Sequence, residues 1–192
     1  LVRALDRGVL GRIGPSDTME AAIANHELAF RMQTAVPELL DFSRETQATR
    51  RLYGLDDPAT RVFGSQCLAA RRLVERGVRF IELLPQSLGH DRWDQHSGLK
   101  AGHEANARAV DRPIAGLLQD LKARGLLEST LVFWGGEFGR TPMAQGADGR
   151  DHNPFGFSLW LAGGGFKPGY SHGSTDEFGY QSVTDVVSVH DL

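Results

Sequence analysis

The chain has 192 residues, 41% of them hydrophobic and 23% charged, and a mass of 21.0 kDa, enough to bury one respectable core. No apolar run approaches the ~20 residues that span a bilayer, and a net charge of -3 argues against an electrostatic nucleic-acid binder or a polybasic membrane-surface protein. The single cysteine, Cys67, excludes an intrachain disulfide framework and a multi-cysteine zinc site.

The first residues are Leu1-Val2-Arg3 and the last His190-Asp191-Leu192, directly after an apolar alternation, which reads as a piece of something longer. Residues 1–76 read as helical. Asp17 to Glu20 has capping-box spacing, and Met19, Ile23 and Phe30 then recur near a helical period. Pro37 suits the first turn of a second helix carrying Leu39, Leu40 and Phe42. A third runs from about Ala59 to Arg76, with Val62, Phe63, Cys67, Ala70, Leu73 and Val74 on one side and Gly77 as its stop. Cys67 is therefore expected in the core.

The texture then changes. Val78 to Leu84 is a short apolar run bounded by Gly77 and Pro85, the pattern of a buried strand. Val110, Ile114, Leu117, Leu118 and Leu121 mark a helix that starts near Asp111 or kinks at Pro113 and ends at Gly125. Two more apolar runs follow, Thr130 to Trp134 and Phe157 to Ala162. Strand, long helix and strand make a βαβ unit, which places parallel strands under a right-handed crossover. The expected class is α/β: a helical segment over 1–76 packing on the sheet, and 77–192 as the site-bearing portion of the same domain. Ligands in such sheets gather beyond the carboxyl ends of the strands.

Chemistry-bearing residues cluster there. Beyond the first run, His90, Asp91, Asp94 and His96 fall within seven positions; beyond the second comes Gly135-Gly136-Glu137-Phe138-Gly139-Arg140, and then Gly149-Arg150-Asp151-His152. Carboxylates and neutral imidazoles converging on one pocket are the usual ligand set for zinc, manganese or iron. Arg140 and Arg150 are placed to meet an anion beside it. Polar loops also carry such residues for capping and solvation, but three in register favour a site. Elsewhere His103 is expected on the exposed side of the helix start, His26 in a structural role, and His172 facing solvent; His190 beside Asp191 stays open.

Two motifs are decoys. Gly169-Tyr170-Ser171-His172-Gly173 matches G-x-S-x-G, but Lys167-Pro168 precedes it and Ser174-Thr175-Asp176 follows, where a nucleophile elbow needs a strand and a helix. Gly163-Gly164-Gly165 lacks the spacing and the Lys of a phosphate loop and reads as a turn.

Ala69-Arg71-Arg72-Leu73-Val74-Glu75-Arg76-Gly77-Val78-Arg79-Phe80, Trp93-Asp94-Gln95-His96, Gly135-Glu137-Phe138-Gly139-Arg140-Thr141-Pro142 and Gly149-Arg150-Asp151-His152 together form a pattern. On these residues, and on Asn25 to Gln33 and Gly173 to Gly179, the chain resembles the bacterial sulfatase-like family of unknown function numbered 1501. The resemblance covers nearly the whole chain and implies the alkaline-phosphatase-like superfamily: a three-layer α/β/α fold, present here in part, with divalent metal at the ends of a mostly parallel sheet. Carried over position by position, it implies metal ligands at Asp94, His96, Glu137 and His152. The family spacing between the first Asp and His is not kept, so Asp91 and Asp94 both stay open, with Asp94 preferred. Glu137-Phe138 replaces an Asp-His pair, keeping an oxygen ligand and losing a nitrogen one. The superfamily's nucleophile has no counterpart in these residues, which implies that it lies upstream and that this chain alone is inactive.

The first expectation is thus a metal-dependent hydrolase of sulfate or phosphate esters, with a divalent ion (zinc, manganese or calcium) as cofactor and Arg140 or Arg150 neutralising the transferring group. Its substrate would be a small anionic ester or a sulfated or phosphorylated glycan; no nucleic-acid partner and no membrane span are expected. The rival is a degenerate member that binds an anionic glycan or a protein partner, suggested by Phe138 where a ligand is expected. A structural role at the cell surface is a weaker third. Full-length relatives commonly begin with a twin-arginine-type signal, so the resemblance implies export.

Overall fold

A computed structural model describes residues 17–85 and 93–192, with main chain only at 31, 32, 34 and 35. The chain divides into two compact units, Leu1–Arg44 and Glu45–Leu192. The first contains α1 (Asp17–Leu40). Pro37 lies inside α1 and does not open a second helix. So close to the end, the missing N–H costs little ladder, and the Pro37 carbonyl still accepts from Asp41 N–H at 3.1 Å.

The second unit is built on α2 (Gln47–Leu52), α3 (Arg61–Glu75) and α4 (Leu99–Ala123). Thr46 caps α2, its side chain accepting from Thr49 N–H. The apolar stripe read from sequence buries Phe63, Cys67 and Ala70 of α3, although Val62 is exposed. Pro113 is buried within α4, which continues unbroken upstream of Asp111 to Leu99. Helices α3 and α4 end alike. Val78 N–H reaches the Leu73 carbonyl and Gly77 N–H that of Val74, as Leu126 and Gly125 reach those of Leu121 and Lys122. Gly77 and Gly125 take φ of 80° and 70°, so each helix closes in a Schellman motif.

Charge is buried between the helices. Arg71, with 5% of its side chain exposed, lies 3.0 Å from both Glu45 and Asp120 and 2.6 Å from Glu75. Its Nε contact with Asp120 is close enough for an ion pair but is not aligned as a hydrogen bond. Tyr53, fully buried, donates its hydroxyl to Asp120 at 2.9 Å, and Arg124 bridges Asp120 and Glu75. Burial works against the Arg71 charge, but Glu75, Asp120 and Glu45 outweigh it and hold the guanidinium charged.

The expected mostly parallel, three-layer α/β/α sheet of alkaline-phosphatase type is not what forms. Among the described residues every sheet has two strands and every pair is antiparallel: β1 (Leu131–Trp134) with β4 (Trp160–Gly163), β2 (Gly139–Arg140) with β3 (His152–Asn153), and β5 (Ser174–Thr175) with β6 (Ser182–Thr184). A short 3-10 helix, Val189–Asp191, follows. Val78 to Leu84, expected as the first strand of a βαβ unit, is irregular, with Phe80 84% exposed. An apolar, β-branched run favours extended backbone, yet a strand also needs a partner for its N–H and C=O groups, and no described strand pairs with this one. The crossover reading fails with it.

Candidate metal centre

The site grows from the short β2–β3 ladder. Arg140 stands opposite His152, and directly paired residues send their side chains to the same face. Thr141 N–H donates to the Asp151 carbonyl at 2.9 Å and extends the pairing. Asn153, 1% exposed, pins the base: its Nδ2 donates to the Tyr180 carbonyl and its Oδ1 accepts from Phe155 N–H. Tyr180 is itself positioned by Asp176, whose carboxylate accepts from the N–H groups of Phe178, Tyr180 and Gln181.

Residues 93–98 meet that ladder from the other side. Trp93 has a φ of 72°, a left-handed conformation that costs a bulky residue about 1–2 kcal/mol. Edge contacts with Trp134 and His103, at ring separations of 6.0 and 5.3 Å, hold it there, and the turn it makes delivers Asp94. Hydrogen bonds lace this segment to residues 145–150: Arg150 N–H donates to the Gln95 carbonyl, and Gly98 N–H to the Asp148 side chain at Oδ1, both at 3.0 Å. The two backbones run so close that a Cβ on Gly149 would stand 1.9 Å from the His96 carbonyl oxygen.

Three side chains end on one atom. Asp94 Oδ1 lies 2.6 Å from Arg140 Nη2, 3.0 Å from His96 Nε2 and 3.1 Å from His152 Nε2. The Arg140 hydrogen bond holds the Asp94 carboxyl below the usual carboxylate range; burial, the next influence, opposes it, and a weaker hydrogen bond from His152 adds to the lowering. His96 Nδ1 meets Gln145 Oε1 at 2.5 Å, a contact that orients the ring and leaves Nε2 for the centre. Phe138 lies on His152 with ring centroids 4.3 Å apart, and the two imidazoles are 4.9 Å apart. Asp94, His96 and His152 offer ligand atoms within 4.8 Å of one another. Two imidazole nitrogens and one carboxylate oxygen suit a borderline dication and leave coordination positions for water or substrate. The residues present fit such an ion.

Of the residues expected from sequence, the structure therefore brings together Asp94, His96, His152 and Arg140. Glu137 is exposed and outside the group. Arg150 turns its guanidinium to the Gly149 carbonyl at 2.8 Å. His90 and Asp91 lie outside the described residues. His103 is half-buried against Trp93 instead of exposed, His26 is exposed, and His172 is exposed beside Tyr170. His190 donates its N–H to the Ser188 hydroxyl in the cap of the 3-10 helix. Ser171 of the G-x-S-x-G decoy sits in irregular chain before β5. Gln145, for which the sequence holds no signal, is missing from the expected set, and Trp93 stands there only within the Trp93-Asp94-Gln95-His96 motif, with no role of its own.

The family model of proteins of unknown function, DUF1501, matches residues 1–192. The chain belongs to that family. All four residues of the centre fall inside the DUF1501 match, as does every described element. No curated protein and no solved structure gives a match. Among the described residues of this DUF1501 member, no helix is long and apolar enough to cross a membrane.

Proposed function

We propose that Asp94, His96 and His152 bind a divalent metal ion and that the protein is a metal-dependent hydrolase of sulfate or phosphate esters. The observation that carries this reading is the convergence of two imidazoles and a guanidinium on a single carboxylate oxygen. Two nitrogens in the donor set favour zinc or manganese over calcium, which prefers oxygen throughout. When bound, such an ion polarises an ester oxygen and lowers the pKa of coordinated water. Gln145 keeps the His96 ring in register, Phe138 backs the His152 ring, and Arg140 supplies positive charge for an anionic group. Export, which the sequence resemblance implies, accords with a substrate such as a sulfated or phosphorylated glycan.

A second reading is a member that binds an anion or glycan without turning it over. It is favoured by Phe138, packed at a tilt against His152, and by Glu137, which stays outside the cluster. Metal analysis of the full-length protein, followed by a panel of aryl sulfates and phosphates with added zinc, manganese or calcium, separates the two. Hydrolysis predicts metal-dependent turnover lost in His152→Ala. Metal uptake with no turnover of any ester supports the second reading, and the absence of any divalent ion after loading defeats the first.

A further inference from the structure

Of the three groups on Asp94 Oδ1, only Arg140 is a guanidinium, a fixed positive charge. Its guanidinium already gives the carboxylate the positive partner that a dication would bring. Building on the metal-binding reading above, we propose that Arg140 is an exchangeable cation. It neutralises Asp94 in the metal-free protein, yields the carboxylate when a divalent ion binds Asp94, His96 and His152, and then binds a tetrahedral oxyanion beside that ion.

Three features support the exchange. The first is proximity: an ion bonded to Oδ1 at about 2 Å would stand beside a guanidinium nitrogen only 2.6 Å from the same atom. Like charges repel at that distance even with partial screening, the Arg140 and Asp94 side chains being 21% and 29% exposed. The second is an idle donor. Arg140 Nη1 is buried without a hydrogen-bond partner among the described residues, so half of a fork suited to bidentate oxyanion recognition is unused. The third is the fixed backbone beneath. The main chain of Arg140 is locked opposite His152, and the Phe138 ring lies 5.6 Å from the guanidinium. Release therefore needs a change of side-chain rotamer only, over an aromatic face that favours a cation. Arg150, tied to the Gly149 carbonyl, does not compete for Asp94.

Exchange makes two ligands help each other. Metal binding frees the arginine for the anion, and by linkage the anion must strengthen metal binding by the same factor. An arginine that merely supported the loop would behave differently, since its loss would weaken both ligands.

The test is calorimetry on the full chain, wild type and Arg140→Gln, with zinc or manganese alone and then with inorganic sulfate or phosphate, with and without metal. Arg140→Gln is expected to bind metal about tenfold more tightly, while metal loading raises wild-type oxyanion affinity about tenfold and that rise shrinks in the variant. Comparing sulfate with phosphate identifies the preferred oxyanion. If Arg140→Gln fails to fold, the wild-type pair of anion titrations decides alone. Wild type that takes up no metal overturns the metal-binding reading and the exchange together. Wild type that takes up metal, with Arg140→Gln binding it no more tightly or with anion affinity indifferent to metal, overturns the exchange and leaves the metal-binding reading standing.

Discussion

Arg140 and His152 face each other across a ladder two residues long, and both reach the same oxygen of Asp94. A cross-strand pair fixed by backbone hydrogen bonds gives a more rigid base than two independent loops. The centre therefore depends on a few close contacts that single substitutions can remove.

Removing a ligand should cost more than removing its support. Loss of an outer partner of a metal ligand lowers affinity about 10–100-fold, and this is the expectation for Gln145→Ala, which frees His96 Nδ1. His152→Ala and Asp94→Asn should fall below that range in zinc or manganese calorimetry. Equal affinities for Gln145→Ala and wild type would show that the His96–Gln145 contact does not orient the ring.

Gly149→Ala tests the close approach of the two loops. The added methyl meets the His96 carbonyl at 1.9 Å, and main chain cannot yield as a flexible side chain does. Metal affinity should drop at least about tenfold while the helical circular-dichroism signal is largely preserved, because the displaced loop touches the helices only at the first turn of α4, which Asp148 caps. Wild-type affinity in this variant would mean that the loops separate without disturbing His96.

The pH behaviour of Asp94 follows from its partners. Its carboxyl is held below the ordinary value chiefly by Arg140, so its ionic contacts stabilise the fold above that ordinary value and are lost as pH falls through the lowered one. A carboxyl-carbon NMR titration should place Asp94 below the ordinary aspartate value, and Arg140→Gln should move its midpoint upward. An unmoved midpoint would remove the guanidinium as the cause.

Cys67 and Arg71 test the core. Burial pushes the Cys67 thiol up to about 12, so the native protein should resist thiol reagents until it unfolds. With the folded value raised, that thiol stabilises the fold below pH 9, its ordinary value, and the contribution is lost as pH rises towards 12. Arg71→Met leaves Glu45, Glu75 and Asp120 facing each other without their shared buried cation, at a cost of about 3–5 kcal/mol. The unfolding midpoint should fall by about 10 °C. A shift of less than about 2 °C, the effect of under about 1 kcal/mol, would show that Arg72 and Arg124 compensate.

The sequence was legible where local rules decide. The stripe from Phe63 to Ala70 and the glycines at 77 and 125 place two helices and their ends, because periodicity and positive φ are local properties. Strand pairing is not local: the run from Val78 to Leu84 has strand chemistry, but nothing in its residues names a partner. The same distinction runs through the site. Asp94, His96, Arg140 and His152 announce their chemistry by type and spacing, whereas Glu137 has the right chemistry and is exposed outside the cluster. Gln145 has ordinary chemistry, and only the turn that returns to Gly149 places it against His96.

Helix α4 begins with help from far along the chain. Gly98 N–H and Leu99 N–H are taken by the side chain and carbonyl of Asp148, so the loop before His152 does the work usually left to a helix's own capping residue. Loosening of that loop and fraying of the helix are therefore one opening event. The amide protons of Gly98 and Leu99 become built-in gauges of the centre, and their exchange with deuterium should slow when an ion tightens the loop, with no label attached to any ligand.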